Sequence, residues 1–128
     1  LGNMAGQFLN PSDYTTRLGH YIHVGKMVWI QVNIKINYKY TLTDPKSFIK
    51  ITLPIQAKTS LKQSLYVSNI INPDSNISWI EAEIPSGNSI DYLLLPIKDT
   101  QLVLSSYLAV EDLTNTSEVI LGGYYFTD

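Results

Sequence analysis

From Gly19 to Tyr40 the chain reads GHYIHVGKMVWIQVNIKINYKY, an alternation of apolar and polar positions. Successive side chains of a strand point to opposite faces, so this period predicts extended structure with one apolar and one polar face. Val28, Ile30, Val32, Ile34, Ile36, Tyr38 and Tyr40 fall on the apolar face. Gln31, Asn33, Lys35, Asn37 and Lys39 fall on the polar one, yet Met27 and Trp29 open that same face and need a cover. The Gly25-Lys26 pair divides the run into a short strand, Gly19 to Val24, and a long one, Met27 to Thr41, with room for a bulge.

The remaining pattern predicts further short strands. Ile49, Ile51 and Leu53 alternate with Lys50 and Thr52 after the turn TDPKS at residues 43–47. Ser64 to Ile71 is followed by the turn NPDSN at residues 72–76, and Ile77 to Ile84 by PSGN at residues 85–88, a hairpin-turn composition. Ile90 to Leu95, Leu102 to Val110 and Glu118 to Thr127 complete the set. No segment holds helical periodicity over three turns. Residues 1–18 show neither period and carry Gly2, Gly6 and Pro11, which predicts a lead-in joining an upstream segment. The expected fold is all-β: a single-domain antiparallel β-sandwich over residues 19–128, jelly-roll-like.

Two late strands are apolar on both faces. In IDYLLLPI, Tyr92 and Leu94 point one way and Leu93 and Leu95 the other; in EVILGGYYF, Val119, Leu121 and Tyr125 oppose Ile120, Tyr124 and Phe126. The outer face of an antiparallel sandwich is ordinarily polar, so such strands call for a second cover, and a sister subunit supplies one. Met27, Trp29, Leu93, Leu95, Tyr124 and Phe126 are therefore the expected subunit interface.

Composition narrows the chemistry. The 128 residues hold no cysteine, which excludes a disulfide scaffold, a thiolate metal site and a Cys nucleophile. A net charge of -2 with 16% charged residues points away from nucleic acid and from an anionic membrane surface. No apolar run approaches the ~20 residues of a membrane span. The opening LGNMAGQFLNP lacks the basic and apolar regions of a signal peptide, and its first residue, Leu1, is expected to mark a piece of a longer polypeptide.

Three constellations could carry function. His20 and His23 are three apart, so a strand points them to opposite faces, and no metal or other cofactor is expected. Glu81 and Glu83 would share one strand face about 6–7 Å apart, a spacing that overlaps that of an inverting glycosidase pair. Hydrolysis would also need one carboxyl in an apolar setting, and no enzyme activity is expected. Trp79 on the same face makes Trp79, Glu81 and Glu83 a candidate sugar platform, with a flat ring to cover a pyranose and acids to accept its hydroxyl protons; the alternative is a Trp79 at a rim or interface. Asn76 and Asn115 head glycosylation-type triplets, a pattern that recurs by chance in Asn- and Ser-rich chains. Asn115 to Glu118 mimics a helix capping box, but the strand-like VILGGYYF that follows excludes a helix.

GHYIHVGKMVWIQVNI, the LPI at Leu53 to Ile55, and the closing DLTNTSEVILGGYYFTD together resemble the C-terminal head domains of viral fibre proteins, a group that includes many phage tail fibres. The likeness spans Gly19 to Asp128, although residues 58–88 match nothing in it. The bias towards Ile, Asn, Tyr and Lys also resembles AT-rich genomes such as those of virophages, whose collagen-like fibre proteins would make a suitable parent chain. The resemblance implies a compact β-sandwich homotrimer at the tip of a fibrous shaft, exposed on the virion surface. It implies attachment to a host cell or another virus particle through surface glycans or proteins. The alternative is a structural knob that trimerises and caps the shaft with no ligand of its own.

Overall fold

The computed structural model describes residues 1–73, 77–99 and 105–128, and of Ser78, Trp79, Asp99 and Ser105 the backbone alone. Eleven strands are described: β1 (Gly2–Asn3), β2 (Tyr14–Val24), β3 (Met27–Ile36), β4 (Ile49–Thr52), β5 (Gln63–Ile71), β6 (Ile77–Ile80), β7 (Ala82–Ile84), β8 (Tyr92–Leu94), β9 (Pro96–Asp99), β10 (Ser105–Tyr107) and β11 (Glu118–Phe126). The fold is all-β and antiparallel, as the alternation predicts. Eight strands form one long curled sheet in the order β1-β4-β8-β7-β5-β11-β3-β2, and β10-β9-β6 form a smaller sheet. The only helical turns among the described residues are two short 3-10 turns, Pro11–Asp13 and Val110–Asp112.

The hairpin β2–β3 follows from its turn. Val24 pairs with Met27, leaving Gly25-Lys26 as a two-residue loop with Gly25 at φ 58°, the left-handed conformation that glycine supplies at the first central position of such a turn. From this register β3 buries Val28, Ile30, Ile34 and Ile36, while Trp29 and Gln31 are exposed on the other face. The long strand stops at Ile36 instead of reaching Thr41. There the Asn37 amide turns to the Asp13 carbonyl, the Lys39 amide donates to Asn115 Oδ1, and Tyr38 and Tyr40 stand exposed off the sheet. The apolar face predicted through Tyr40 thus ends at Ile36.

Residues 1–18 are more integrated than their lack of period predicts. β1 pairs with β4, and β2 begins at Tyr14, five residues before the predicted Gly19. Asn3 and Asp13 are buried: the Asn3 side chain exchanges hydrogen bonds with Gln7, and Asp13 accepts from the Asn10 amide and the Thr41 hydroxyl. Side-chain bonds of this kind order a segment without imprinting a hydrophobic period.

The predicted strands Ile77 to Ile84 and Ile90 to Leu95 each meet a crossover. The first breaks at Glu81, with β6 in the small sheet and β7 in the large one; the second ends at Leu94, and Pro96 starts β9 in the small sheet. Of Leu102 to Val110, residues 102–104 lie outside the described residues, and Ser105–Tyr107 forms β10.

β11 lies between β3 and β5, and its inward Val119, Leu121 and Tyr125 join the core with Ile34, Leu65 and Ile84. Ser68 bulges out of β5 opposite Ile120, and its hydroxyl donates to the Ile120 carbonyl at 3.1 Å. The β5–β11 ladder ends at Gly122, just before Gly123 at φ 132°. Beyond it the Gln63 side chain acts as a partner strand, accepting from the Phe126 amide at 2.6 Å and donating to the Phe126 carbonyl at 3.1 Å. The buried Tyr125 hydroxyl donates to the Ile55 carbonyl at 2.7 Å, and Thr127 Oγ1 to the Gln56 carbonyl at 2.7 Å.

Two predictions test these ties. Gln63→Leu leaves the Phe126 amide without its acceptor and should cost about 1–3 kcal/mol in urea unfolding; the Phe126 carbonyl keeps its bond from the Lys58 amide. Burial pushes the Tyr125 phenol above the usual tyrosine range. The unfolded chain therefore loses that proton first, and stability should fall as pH rises through about 10 towards the native value. Tyr125→Phe should lower stability at pH 7 and flatten that alkaline decline, read by urea midpoints across the pH range.

Candidate functional site

An uncovered aromatic surface lies on the outer face of β11 and β3. Register places Tyr124 beside Trp29 and Phe126 beside Met27. The Trp29 and Tyr124 rings lie 4.9 Å apart between centroids, and Tyr124 meets Phe126 edge-on at 5.9 Å. Trp29 is 48% exposed, Tyr124 46% and Phe126 39%, whereas Tyr125 between the last two is 0% exposed. The expected division of β11 into two apolar faces is therefore present, one in the core and one in solvent.

Sequence reasoning missed that this patch continues onto β2 and β5. Ile22 pairs with Trp29 and Val24 with Met27, and both β2 side chains stand exposed at about two thirds of their surface (65% and 66%). On the far side, Tyr66 is exposed and its hydroxyl lies over Gly122, where a Cβ would approach within 3.2 Å. The signal for Ile22 and Val24 was available: a two-residue turn at Gly25-Lys26 fixes their position opposite Trp29 and Met27. Tyr66 was not accessible in the same way, because the Ser68 bulge resets which β5 residues face outward.

Leu93 and Leu95 must be withdrawn from the expected subunit interface. Both are 0% exposed within the single chain. Leu93 lies opposite Ile51 on the core face, and the Leu95 carbonyl accepts from the Leu108 amide where the chain passes between the sheets. On the other face of β8, Leu94 is opposite Lys50, whose ammonium lies 5.0 Å from the Phe8 ring centre and 5.6 Å from that of Tyr92. Leu94 is buried and Tyr92 half-buried within the single chain, so the other face of β8 is already largely covered.

Glu81 and Glu83 come together, but not as two residues of one strand face. Glu81 sits at the break between β6 and β7, its amide donating to the Pro96 carbonyl, while Glu83 lies within β7. Both line a cleft of about 260 Å³ with Lys62, Lys98, Ser106 and Tyr107. Glu83 is buried and its carboxylate is 3.0 Å from the Lys62 ammonium, which is itself well exposed. The hydrogen bond to Glu83 and its charge raise the Lys62 pKa. The third member of the expected platform, the Trp79 side chain, lies outside the described residues. The cleft presents hydroxyl, ammonium and carboxylate groups at short range, a donor and acceptor set suited to a polyhydroxylated ligand.

His20 and His23 project from opposite faces of β2, His20 beside Gln31 and His23 beside Val28. Among the described residues no group of three or more His, Cys, Asp or Glu converges on a point that could hold a metal. Asn115 uses its side-chain oxygen internally, on the Lys39 amide, and Asn76 lies outside the described residues. The chain matches no protein-family model, no curated protein and no solved structure.

The Lys62–Glu83 pair makes one prediction for this site. Lys62→Met strands a buried carboxylate without its cation and should lower the melting temperature. Adding Glu83→Gln to it should restore part of the loss, a sign reversal that differential scanning calorimetry would detect.

Proposed function

We propose that this chain is a non-enzymatic, self-assembling β-sandwich head that forms a homotrimer and serves in attachment, as the tip of a viral fibre would. The observation that carries the reading is the contiguous outer face built from Met27, Trp29, Tyr124 and Phe126 and extended by Ile22 and Val24. A large aromatic side chain buries roughly 150–250 Å² when covered, so side chains half exposed here offer on the order of 100 Å² each. With Tyr66 and Leu18 added, the patch reaches on the order of 800 Å² per partner, the size of a stable protein interface. Closed cyclic symmetry allows identical faces to be covered without open-ended growth. The resemblance to fibre heads supplies the number three and the attachment role.

The polar cleft at Glu81 and Glu83 is the part of this head suited to a surface glycan. One observation favours the alternative of a structural knob: Glu83 is already ion-paired to Lys62, which leaves the cleft fewer free acceptors for sugar hydroxyls.

Sedimentation equilibrium tests the assembly. The chain should run as a trimer at micromolar concentration, and a stable monomer would end the reading. Trp29→Ala should weaken association by about 2 kcal/mol or more, the loss of a central aromatic anchor, with a melting temperature that becomes concentration-dependent. A glycan array separates the two roles: an attachment head should give saturable signals that Glu81→Gln reduces, and a knob should give none.

A further inference from the structure

The curled sheet does not close. β2 is one of its end strands, and between β2 and the stretch Ile51 to Pro54 runs a cleft of about 440 Å³. Its floor is apolar, built from Ile30, Val32 and Ile34 of β3 with Ile51 and Leu53 opposite. Tyr21 stands half exposed at the mouth. Arg17 lines one end of the cleft, with Leu1, whose amino group donates to the Tyr14 hydroxyl, and His20 also in its lining; no acidic side chain lines it, and no salt bridge engages Arg17 among the described residues. The Arg17 guanidinium rests 5.1 Å from the Tyr14 ring centre, which holds the charge at one end of the cleft.

Gly19 is the second, independent observation. It lies in mid-strand opposite Val32, between Arg17 and Tyr21 on the cleft side. Its backbone does not require glycine, because its φ is not in the left-handed region. Neither does packing: a Cβ there would meet only the Gln31 carbonyl, at 4.0 Å. A strand glycine that neither the backbone nor the chain's own packing demands leaves room for something else to approach closely, one of the uses to which such glycines are put.

We propose that this cleft binds a medium-chain amphiphile with an anionic head, its acyl chain over Val32 and Gly19 and its carboxylate at Arg17. The volume falls in the range of small-ligand sites, about 300–1,000 Å³, and the chemistry, an apolar floor with a basic end at Arg17, is that of such a site. A second subunit is the less suitable occupant. Subunits cover faces of several hundred Å² per partner, which the exposed row of Trp29, Tyr124, Phe126, Ile22 and Val24 offers, whereas this cleft is lined by the core-facing side of β3. The inference does not rest on the fibre-head reading.

Dodecanoate titrated into the intact chain below its micelle concentration, followed by calorimetry with dodecanol as the uncharged comparison, tests it. Saturable binding with one site per chain is expected. Gly19→Val projects its side chain into the cleft and suits a strand, so it should weaken dodecanoate at least tenfold while the melting temperature holds or rises. Arg17→Gln should weaken dodecanoate several-fold and leave dodecanol unchanged. Absence of saturable binding to the unaltered chain would overturn the proposal. So would equal binding by Gly19→Val, or a Gly19→Val chain whose change is confined to its assembly state, which would make the cleft's occupant a second copy.

Discussion

β11 is apolar on both faces, and the architecture depends on how that strand is held in register. A one-residue slip would exchange Val119, Leu121 and Tyr125 for Ile120, Tyr124 and Phe126, one apolar set for another. Hydrophobic patterning, which fixes register where one face is polar, therefore discriminates weakly here. Polar ties do the discriminating. Gln63 pairs with the backbone of Phe126, the Tyr125 hydroxyl reaches the Ile55 carbonyl, and Gly122 sits beneath the Tyr66 hydroxyl, where a Cβ would come within 3.2 Å. A one-residue slip would take the Tyr125 hydroxyl from the Ile55 carbonyl and turn the Phe126 amide and carbonyl away from Gln63, so these ties choose which aromatic residues enter the core and which are left outside.

That choice determines the surface. Because Tyr125 is inside, Tyr124 and Phe126 must be outside, and the β3 register then brings Trp29 and Met27 beside them. The hairpin at Gly25-Lys26 carries the same row onto Ile22 and Val24. The exposed aromatic face is thus a geometric result of three antiparallel strands in fixed register, and every member of it is set by a backbone pairing. The Arg17–Gly19–Tyr21 side of β2 is the reverse of the same strand, so the two uncovered regions share one element and are presented on opposite sides of it.

The strand pattern was legible wherever a period of two reports burial, as in Met27 to Ile36 and Glu118 to Phe126. It failed where order comes from side-chain hydrogen bonds, as at Asn3 and Asp13, which leave no apolar rhythm. It also overran where the chain changes sheets without a turn composition: Glu81 looks like a mid-strand residue and Leu95 like the end of its strand, and each sits at a crossover. The same blindness explains Leu93 and Leu95. Two-sided apolarity signals two apolar faces, but sequence cannot say whether the same chain covers the second. For β11 the second face is open to solvent, and for β8 it is filled internally. Trp29 was legible as an outward residue because Val28 and Ile30 beside it belong to the apolar face, whereas Tyr124 and Phe126 were legible only as members of one of two apolar sets.

The placement of β11 also has a consequence for the order of events during synthesis. β2 and β3 are neighbours in sequence and joined by a two-residue loop, so that hairpin can form soon after both strands emerge. Its sheet partner, β11, begins 82 residues beyond the end of β3 (residue 118 against residue 36). Contacts of such separation form late, after a large loop-closure entropy has been met. Throughout that interval β3 carries an unpaired edge bearing Val28, Ile30 and Ile34, next to a β2 that has little cover of its own. The nascent chain is most vulnerable to pairing with its neighbours in the time between making its second hairpin strand and making its eleventh, and crowded copies growing side by side would meet in that window.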